Sequence, residues 1–596
     1  MRLFLPLVLT IVTAAQQDPI QDFCRRYQHQ TCVIDDKLYI DGGKVHYGGF
    51  VENGSIAQQN PRLLWGNTLA TDTETEFPQL FKNLSKESEV PSVSGGVLWP
   101  DITNKLFYLF GGEYHDISQV QQFTSLWFFD ILSSTWNRTT SSAAQTGILW
   151  PAFGSGTVTE EGTAYYYGGY LGNKTTPKWS GEPMMLSSLI SYNMDTHIWS
   201  NHTYDNIARA EGILQYFPAS ASGMLLYFGG VETGSDGRVR YSIRIFDINE
   251  NKWFTQVATG FVPSPRRGMC AGLAWAVDHS SFNVYVQGGI GEDGATFGET
   301  YILTIPSFQW TLIYPEPSRV PNTATGKGWS SCNVVRGMSQ MIVLGGYFAN
   351  TSFVDCDVPD HNGQHGLLLG QESAEVKRPQ TQWWWRLMPE FNGYRVPDKL
   401  VSLVGGNTSG HATMTTPVQG WETPQLSGYF LGMKPAASRT ATRLIPATST
   451  ESNQSKSSGP NTGAIAGGTI GGVVALASII AIVFYWLRYK RRQQSKHNTP
   501  ELDQNHQRAE LDGPAVCEKP VTDVNVLHGG TVPCSMTSTP SQVSPPLVPA
   551  SWRQDSPCAE LPESTISASV ELSDVRSPTT GEPPNFMRPV SRHDGT

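Results

Sequence analysis

Seven times along this 596-residue chain a short apolar or aromatic run stops on two adjacent glycines. The copies are KLYIDGG, KLFYLFGG, AYYYGG, LLYFGG, VYVQGG, MIVLGG and LVSLVGG. They end on Gly42 and Gly43, Gly111 and Gly112, Gly168 and Gly169, Gly229 and Gly230, Gly288 and Gly289, Gly345 and Gly346, and Gly405 and Gly406. Successive copies lie 57 to 69 residues apart, a period that belongs to stacked or radially repeated units. Each run has the length and residue types of a β-strand. Glycine is a poor strand residue, so the pair needs a local cause. Either the backbone turns to positive φ there, or something packs where a Cβ would stand.

A second element follows most pairs. An apolar strand ends on Asp or Asn and a Trp comes six residues later, as in FFDILSSTW (Asp130, Trp136), SYNMDTHIW (Asn193, Trp199) and IFDINENKW (Asp247, Trp253). ILTIPSFQW, with Thr304 and Trp310, is a degenerate copy. This spacing predicts a hairpin whose turn is held by the Asp or Asn side chain. The Trp then lies on the return strand, where it packs against a neighbouring sheet. Unit one has only Trp65 in range, unit six offers QWWWRLM around Trp384, and in unit seven Trp421 is too close to its glycines.

Diglycine, aromatic strand and Trp at this period resemble kelch repeats from about Phe23 to Gly432. FCRRYQHQTCVIDDKLYIDGG at the start, with CDVPDHNGQHGLLLGQE and GGNTSGHATMTTPVQGW at the end, looks like fungal membrane-anchored kelch proteins. The resemblance implies an all-β, kelch-type β-propeller of seven blades, with six as the alternative, followed by one transmembrane helix and a disordered tail. It also implies that the glycines and tryptophans are structural, and that ring closure removes open sheet edges.

The ends assign a compartment. MRLFLPLVLTIVTAA has one Arg, a short apolar run and small residues, the pattern of a signal peptide cleaved after Ala15. Residues 463 to 487, GAIAGGTIGGVVALASIIAIVFYWL, carry no charge and are long enough to cross a bilayer. Arg488, Lys490, Arg491 and Arg492 follow and place the C-terminal side in the cytosol. Residues 16–432 are thus expected outside or in a lumen, 433–462 as a Ser/Thr-rich stalk, and 488–596 as a disordered cytoplasmic tail. The chain reads as a single-pass type I membrane protein of the plasma membrane or secretory pathway. N-glycosylation sequons stand at Asn53, Asn83, Asn137, Asn173, Asn201, Asn350, Asn407 and Asn453, all before the apolar segment. The tail holds SPPLVP, a P-x-x-P stretch for an SH3-type partner, and Ser-Pro or Thr-Pro pairs for a kinase. Gly467 with Gly471 and Gly468 with Gly472 form adjacent G-x-x-x-G motifs, a basis for weak homodimerisation. The net charge of −10 and the lack of a basic stripe in the repeats argue against a nucleic-acid partner.

Five cysteines precede the apolar segment: Cys24, Cys32, Cys270, Cys332 and Cys356. Disulfides are expected there, and the odd count leaves one thiol over. Cys332 and Cys356 bracket one diglycine strand and are the first expected pair; Cys24 with Cys32 would close a small loop. The densest ligand-like cluster is VDCDVPDHNGQH, with Asp355, Asp357, Asp360, His361 and His365. Its Asn-Gly and Pro-Asp pairs equally spell an ordinary loop, and no metal or other cofactor is assigned to it. Galactose oxidase, an enzyme among kelch propellers, resembles the chain in architecture only. Its copper site needs two Tyr, two His and a thioether-forming Cys, and no local motif gathers them here. With no G-x-S-x-G, H-E-x-x-H or P-loop pattern, no catalytic residue is assigned. The expected role is binding of a protein or glycan by loops at one mouth of the ring. A membrane-tethered, galactose-oxidase-like oxidoreductase is the alternative.

Overall fold

The computed structural model describes residues 17–48, 57–140, 147–202, 207–233, 243–315, 326–349, 356–370, 383–430 and 438–446. The expected signal peptide, Asn53, Asn350, Asp355, Asn453, the apolar segment and the residues after it lie outside them. Among the described residues no helix is long and apolar enough to cross a membrane.

Among the described residues six sheets repeat one plan. The first contains Gln30–Ile34, Lys37–Asp41, Leu64–Asn67 and Leu80–Phe81, and the second Val97–Asp101, Leu106–Phe110, Trp127–Asp130 and Thr135–Arg138. The third contains Ser155–Val158, Thr163–Tyr167, Leu189–Asn193 and Ile198–Asn201. Ile213–Phe217, Met224–Phe228, Ile243–Asp247 and Lys252–Gln256 form the fourth. The fifth is built on Cys270–Trp275, Phe282–Gln287, Thr300–Ile305 and Gln309–Tyr314, and the sixth on Ser331–Val335, Gln340–Leu344 and Gln364–Leu368. In the sixth sheet the fourth position is filled by Trp383 to Trp385: the Leu368 N–H donates to the Trp383 carbonyl at 2.8 Å and the Trp385 N–H to Gly366 at 3.0 Å. The first strand of each sheet lies beside the first strands of the sheets before and after it, and that of the sixth lies beside that of the first.

The hairpins follow the expected chemistry. Asp130 Oδ1 accepts from the Leu132 N–H at 2.9 Å, Asn193 Oδ1 from Thr196 at 2.8 Å, and Asp247 Oδ1 from Glu250 at 2.7 Å. Three of the tryptophans pack on the preceding sheet, Trp199 on Phe110 at 5.4 Å, Trp253 on Tyr167 at 4.9 Å and Trp310 on Phe228 at 5.6 Å between ring centroids, while Trp136 meets Phe107 and Phe129 of its own sheet. One local signal therefore sets both the turn and the contact between sheets.

The seventh diglycine departs from the expectation. Gly405 and Gly406 end a helix, Asp398–Val404, and not a strand. Leu400 and Val404, four residues apart, are its buried residues, and Asp398 stands in the first turn just after Pro397. Helical spacing of two apolar side chains outweighs the strand-like composition of LVSLV.

The cysteine pairing also departs. Cys24 is bonded to Cys356 and Cys270 to Cys332, while Cys32 is a buried free thiol. The expected Cys332–Cys356 and Cys24–Cys32 bridges are not formed. Sequence proximity misleads because ring closure brings the two ends of the repeat array together. Cys24 and Cys356 are 332 residues apart in the chain and 4.5 Å apart between Cα atoms. Cys270 and Cys332 stand on the adjacent first strands of the fifth and sixth sheets.

Candidate functional site at the diglycine mouth

Each of the first six diglycines meets the connection that enters the next sheet. At Gly168, φ is +69° and an added Cβ would stand 2.0 Å from the Arg209 carbonyl oxygen. The following N–H, of Gly169, donates to that same oxygen at 2.8 Å. Glycine is required on both counts, conformation and space. The bond recurs at every junction, from Gly43 to Val93, Gly112 to Pro151, Gly230 to Arg266, Gly289 to Lys327 and finally Gly346 back to Arg26, at 2.7 to 3.1 Å.

Two residues beyond each of these carbonyls lies a residue in the left-handed region: Gln28, Gly95, Phe153, Glu211, Gly268 and Trp329, with φ between 56° and 69°. Their peptide groups bond to one another in a cycle. Gln28 donates to Trp329, Trp329 to Gly268, Gly268 to Glu211, Glu211 to Phe153, Phe153 to Gly95, and Gly95 to Gln28, at 2.6 to 3.1 Å. Four of the six have side chains and adopt a conformation that disfavours them. The paired peptide groups offset that cost, since they would otherwise be unsatisfied around the axis.

Two of these side chains reach across the axis. Phe153 and Trp329, from opposite sides of the cycle, meet edge to face with centroids 5.1 Å apart. Gly95 and Gly268 make room, because a Cβ there would meet the Phe153 and Trp329 rings at 2.5 and 2.9 Å. Next to this bar is a cavity of about 230 Å³ lined from all six first strands or the residues before them. Glu211 is buried at its edge. Its Oε2 accepts from Arg267 Nη1 at 2.8 Å and its Oε1 from the Tyr170 hydroxyl at 3.2 Å. Burial pushes the Glu211 carboxyl up, and Arg267 opposes the rise. His29 Nε2 lies 2.9 Å from Ser331 Oγ; burial and then Arg26 hold this imidazole well below its usual range, so it is neutral at pH 7.

The Asp- and His-rich loop resolves into an ion pair. Asp357 Oδ1 accepts from Lys327 Nζ at 2.5 Å and lies 2.9 Å from His365 Nε2. Burial alone would raise the Asp357 carboxyl, but Lys327 and then His365 overcome it and hold it at about 2. His361 faces elsewhere, against the Phe77 ring at 4.9 Å, and Asp360 falls in the same short 3-10 turn. Among the described residues no group of three or more His, Cys, Asp or Glu is placed to hold a metal. The pair has parallels: Arg209 with Glu232 at 3.2 Å and Arg266 with Glu299 at 3.4 Å join the equivalent connection and loop in the fourth and fifth sheets. Sequence reasoning missed these bases. Their signal was a Lys or Arg two residues before the left-handed position, as in RAEG, RRGM and KGWS.

Asp357→Asn should destabilise the protein by about 2–3 kcal/mol, because it leaves Lys327 buried without its counter-charge. The depressed carboxyl gives stability that is present above the unfolded-state value near 4 and lost as pH falls toward 2. Wild-type and Asp357→Asn melting temperatures should therefore draw together below pH 4 and converge as pH falls to about 2. A constant gap across that range would remove the ion pair as the cause.

The five described sequon residues, Asn83, Asn137, Asn173, Asn201 and Asn407, are all exposed.

The comparisons agree with this architecture. Over 533 residues, 79% of this chain and 75% of its counterpart, the sequence is 29% identical to a protein of Arthroderma benhamiae. That protein is a kelch repeat-containing protein. A more distant match, at 25% identity over 54% of this chain, is acyl-CoA-binding domain-containing protein 4 of Arabidopsis thaliana; the chain spans only 43% of that protein. No family model matches the chain.

Proposed function

We propose that the chain is a closed six-bladed kelch propeller that binds a protein or glycan at its diglycine mouth, held at a membrane as a type I protein. The observation that carries this reading is the cross-axis pair of Phe153 and half-buried Trp329, set beside the ion pair of buried Glu211 and half-buried Arg267. An aromatic face with a few fixed polar groups suits recognition of a sugar ring or of an aromatic or basic side chain. Similarity to a kelch repeat-containing protein supports an interaction role over an enzymatic one. The apolar run at 463–487 and the basic residues after it support the anchor.

Trp329→Ala should lower binding at least tenfold on a glycan array or in proximity labelling from the ectodomain, with the melting temperature little changed. Unchanged binding by a folded Trp329→Ala protein would move the site away from this mouth. Protease applied to intact cells tests the anchor separately, since it should release the propeller from the cell surface.

A further inference from the structure

The opposite face of the ring, where the short hairpin turns lie, is occupied by part of the chain's own C-terminal region. Residues 438–446, SRTATRLIP, fall within the stretch read as a stalk, yet they are tied to the second and third sheets. Arg439 forks onto two carboxylates. Its Nη1 and Nη2 donate to Asp101 at 2.8 and 3.0 Å, and its Nε and Nη2 donate to Asp195 at 2.9 and 2.6 Å. Arg443 donates to both oxygens of Asp130 at 2.6 and 2.7 Å. Between them the Thr442 N–H donates to Asn104 Oδ1 at 2.8 Å.

These sockets are built for guanidinium groups. Asp101 is fully buried at the end of its strand, and Asn104 donates to both of its oxygens. Gly162 lines the same socket, where a Cβ would stand 2.2 Å from the Arg439 guanidinium carbon. Two-pronged carboxylate pairing selects Arg over Lys. Hydrogen bonds from Arg439 and Arg443 hold the Asp195 and Asp130 carboxyls below their ordinary range. Arg439 also borders a cavity of about 390 Å³ between the first strands at this end of the axis. Leu444, by contrast, is 91% exposed and contributes no anchoring contact, so the arginines and Thr442 supply the polar hold on the segment.

We propose that this face is a receptor site for Arg-x-x-x-Arg peptides, and that residues 438–446 occupy it in cis. The tether gives the resident segment a high effective concentration, so a free peptide competes poorly with it. A partner presenting the same spacing would displace 438–446 from this face. This site is separate from the diglycine mouth, and its test does not depend on that reading.

A fluorescent SRTATRLIP peptide is titrated into the full-length protein and into its Arg439→Ala/Arg443→Ala variant. The peptide should bind the variant at least tenfold more tightly than the wild type. Adding Asp130→Asn and Asp195→Asn should abolish that binding, and a peptide with both arginines replaced by lysine should lose at least tenfold. Equal binding to wild type and variant, or no binding to a folded variant, would overturn the proposal. Should the vacated variant fail to fold, excess peptide added to the wild type should speed hydrogen exchange at the Thr442 amide. Unchanged exchange there would overturn the proposal equally.

Discussion

Replacing both Cys24 and Cys356 by Ser should lower the unfolding free energy by about 4–5 kcal/mol, near the upper end for a native disulfide. The bridge closes a loop of more than 300 residues, and chain entropy lost from the unfolded state grows with loop length. It also lies at the one junction that no continuous chain crosses. Among the described residues the sixth sheet meets the first through non-covalent contacts, the Gly346 to Arg26 and Gln28 to Trp329 bonds among them, and through this disulfide. The Asp357 N–H donates to the Cys24 carbonyl at 2.8 Å, so the bridge also positions the Lys327–Asp357 pair. Chemical denaturation of the double variant against wild type checks the value. The Cys270→Ser/Cys332→Ser variant should lose less, because its loop spans 62 residues and joins neighbouring strands of an existing junction. Equal losses from the two variants would show that ring closure is not what the longer bridge secures.

Gly168→Ala should cost about 3–4 kcal/mol, combining a left-handed alanine, overlap with a fixed carbonyl and a weakened bond at the junction. Gly294→Ala separates these causes. Gly294 has φ +78° but nothing within 4 Å of an added Cβ, so it carries the conformational cost alone, about 1 kcal/mol. The difference between the two variants in denaturant midpoint measures the close approach of the next connection. Similar losses would mean that diglycine is kept for its backbone conformation only, and that the junctions do not rest on it.

What could be read from the sequence was local. The strand before each diglycine, the Asp or Asn turn and the Trp after it lie within short windows, and the physics that shapes them acts over the same range. Six of the seven diglycines end strands; the seventh failed because LVSLV fits strand composition and helical spacing alike. The elements missed were set by closure. The left-handed conformations of Phe153, Glu211 and Trp329 are imposed by a cycle of backbone hydrogen bonds drawn from six distant segments, which no local window contains. The Cys24–Cys356 bridge joins residues adjacent only once the ring exists. Residues 438–446 looked like stalk by composition, and only the carboxylates of two sheets reveal their place. At the mouth, the loop of Asp357 and His365 stood out for its density of ligand types, whereas the aromatic bar came from residues with no motif at all.

Hydrogen exchange at the Gln28, Gly95, Phe153, Glu211, Gly268 and Trp329 amides of the native protein tests ring closure most directly. A closed cycle predicts that all six exchange at one slow rate, that of global unfolding, with Gln28 at the junction of first and last sheets no faster than the rest. Rapid exchange at Gln28 alongside slow exchange at the other five would mean that the sixth sheet does not close on the first, and would contradict the propeller.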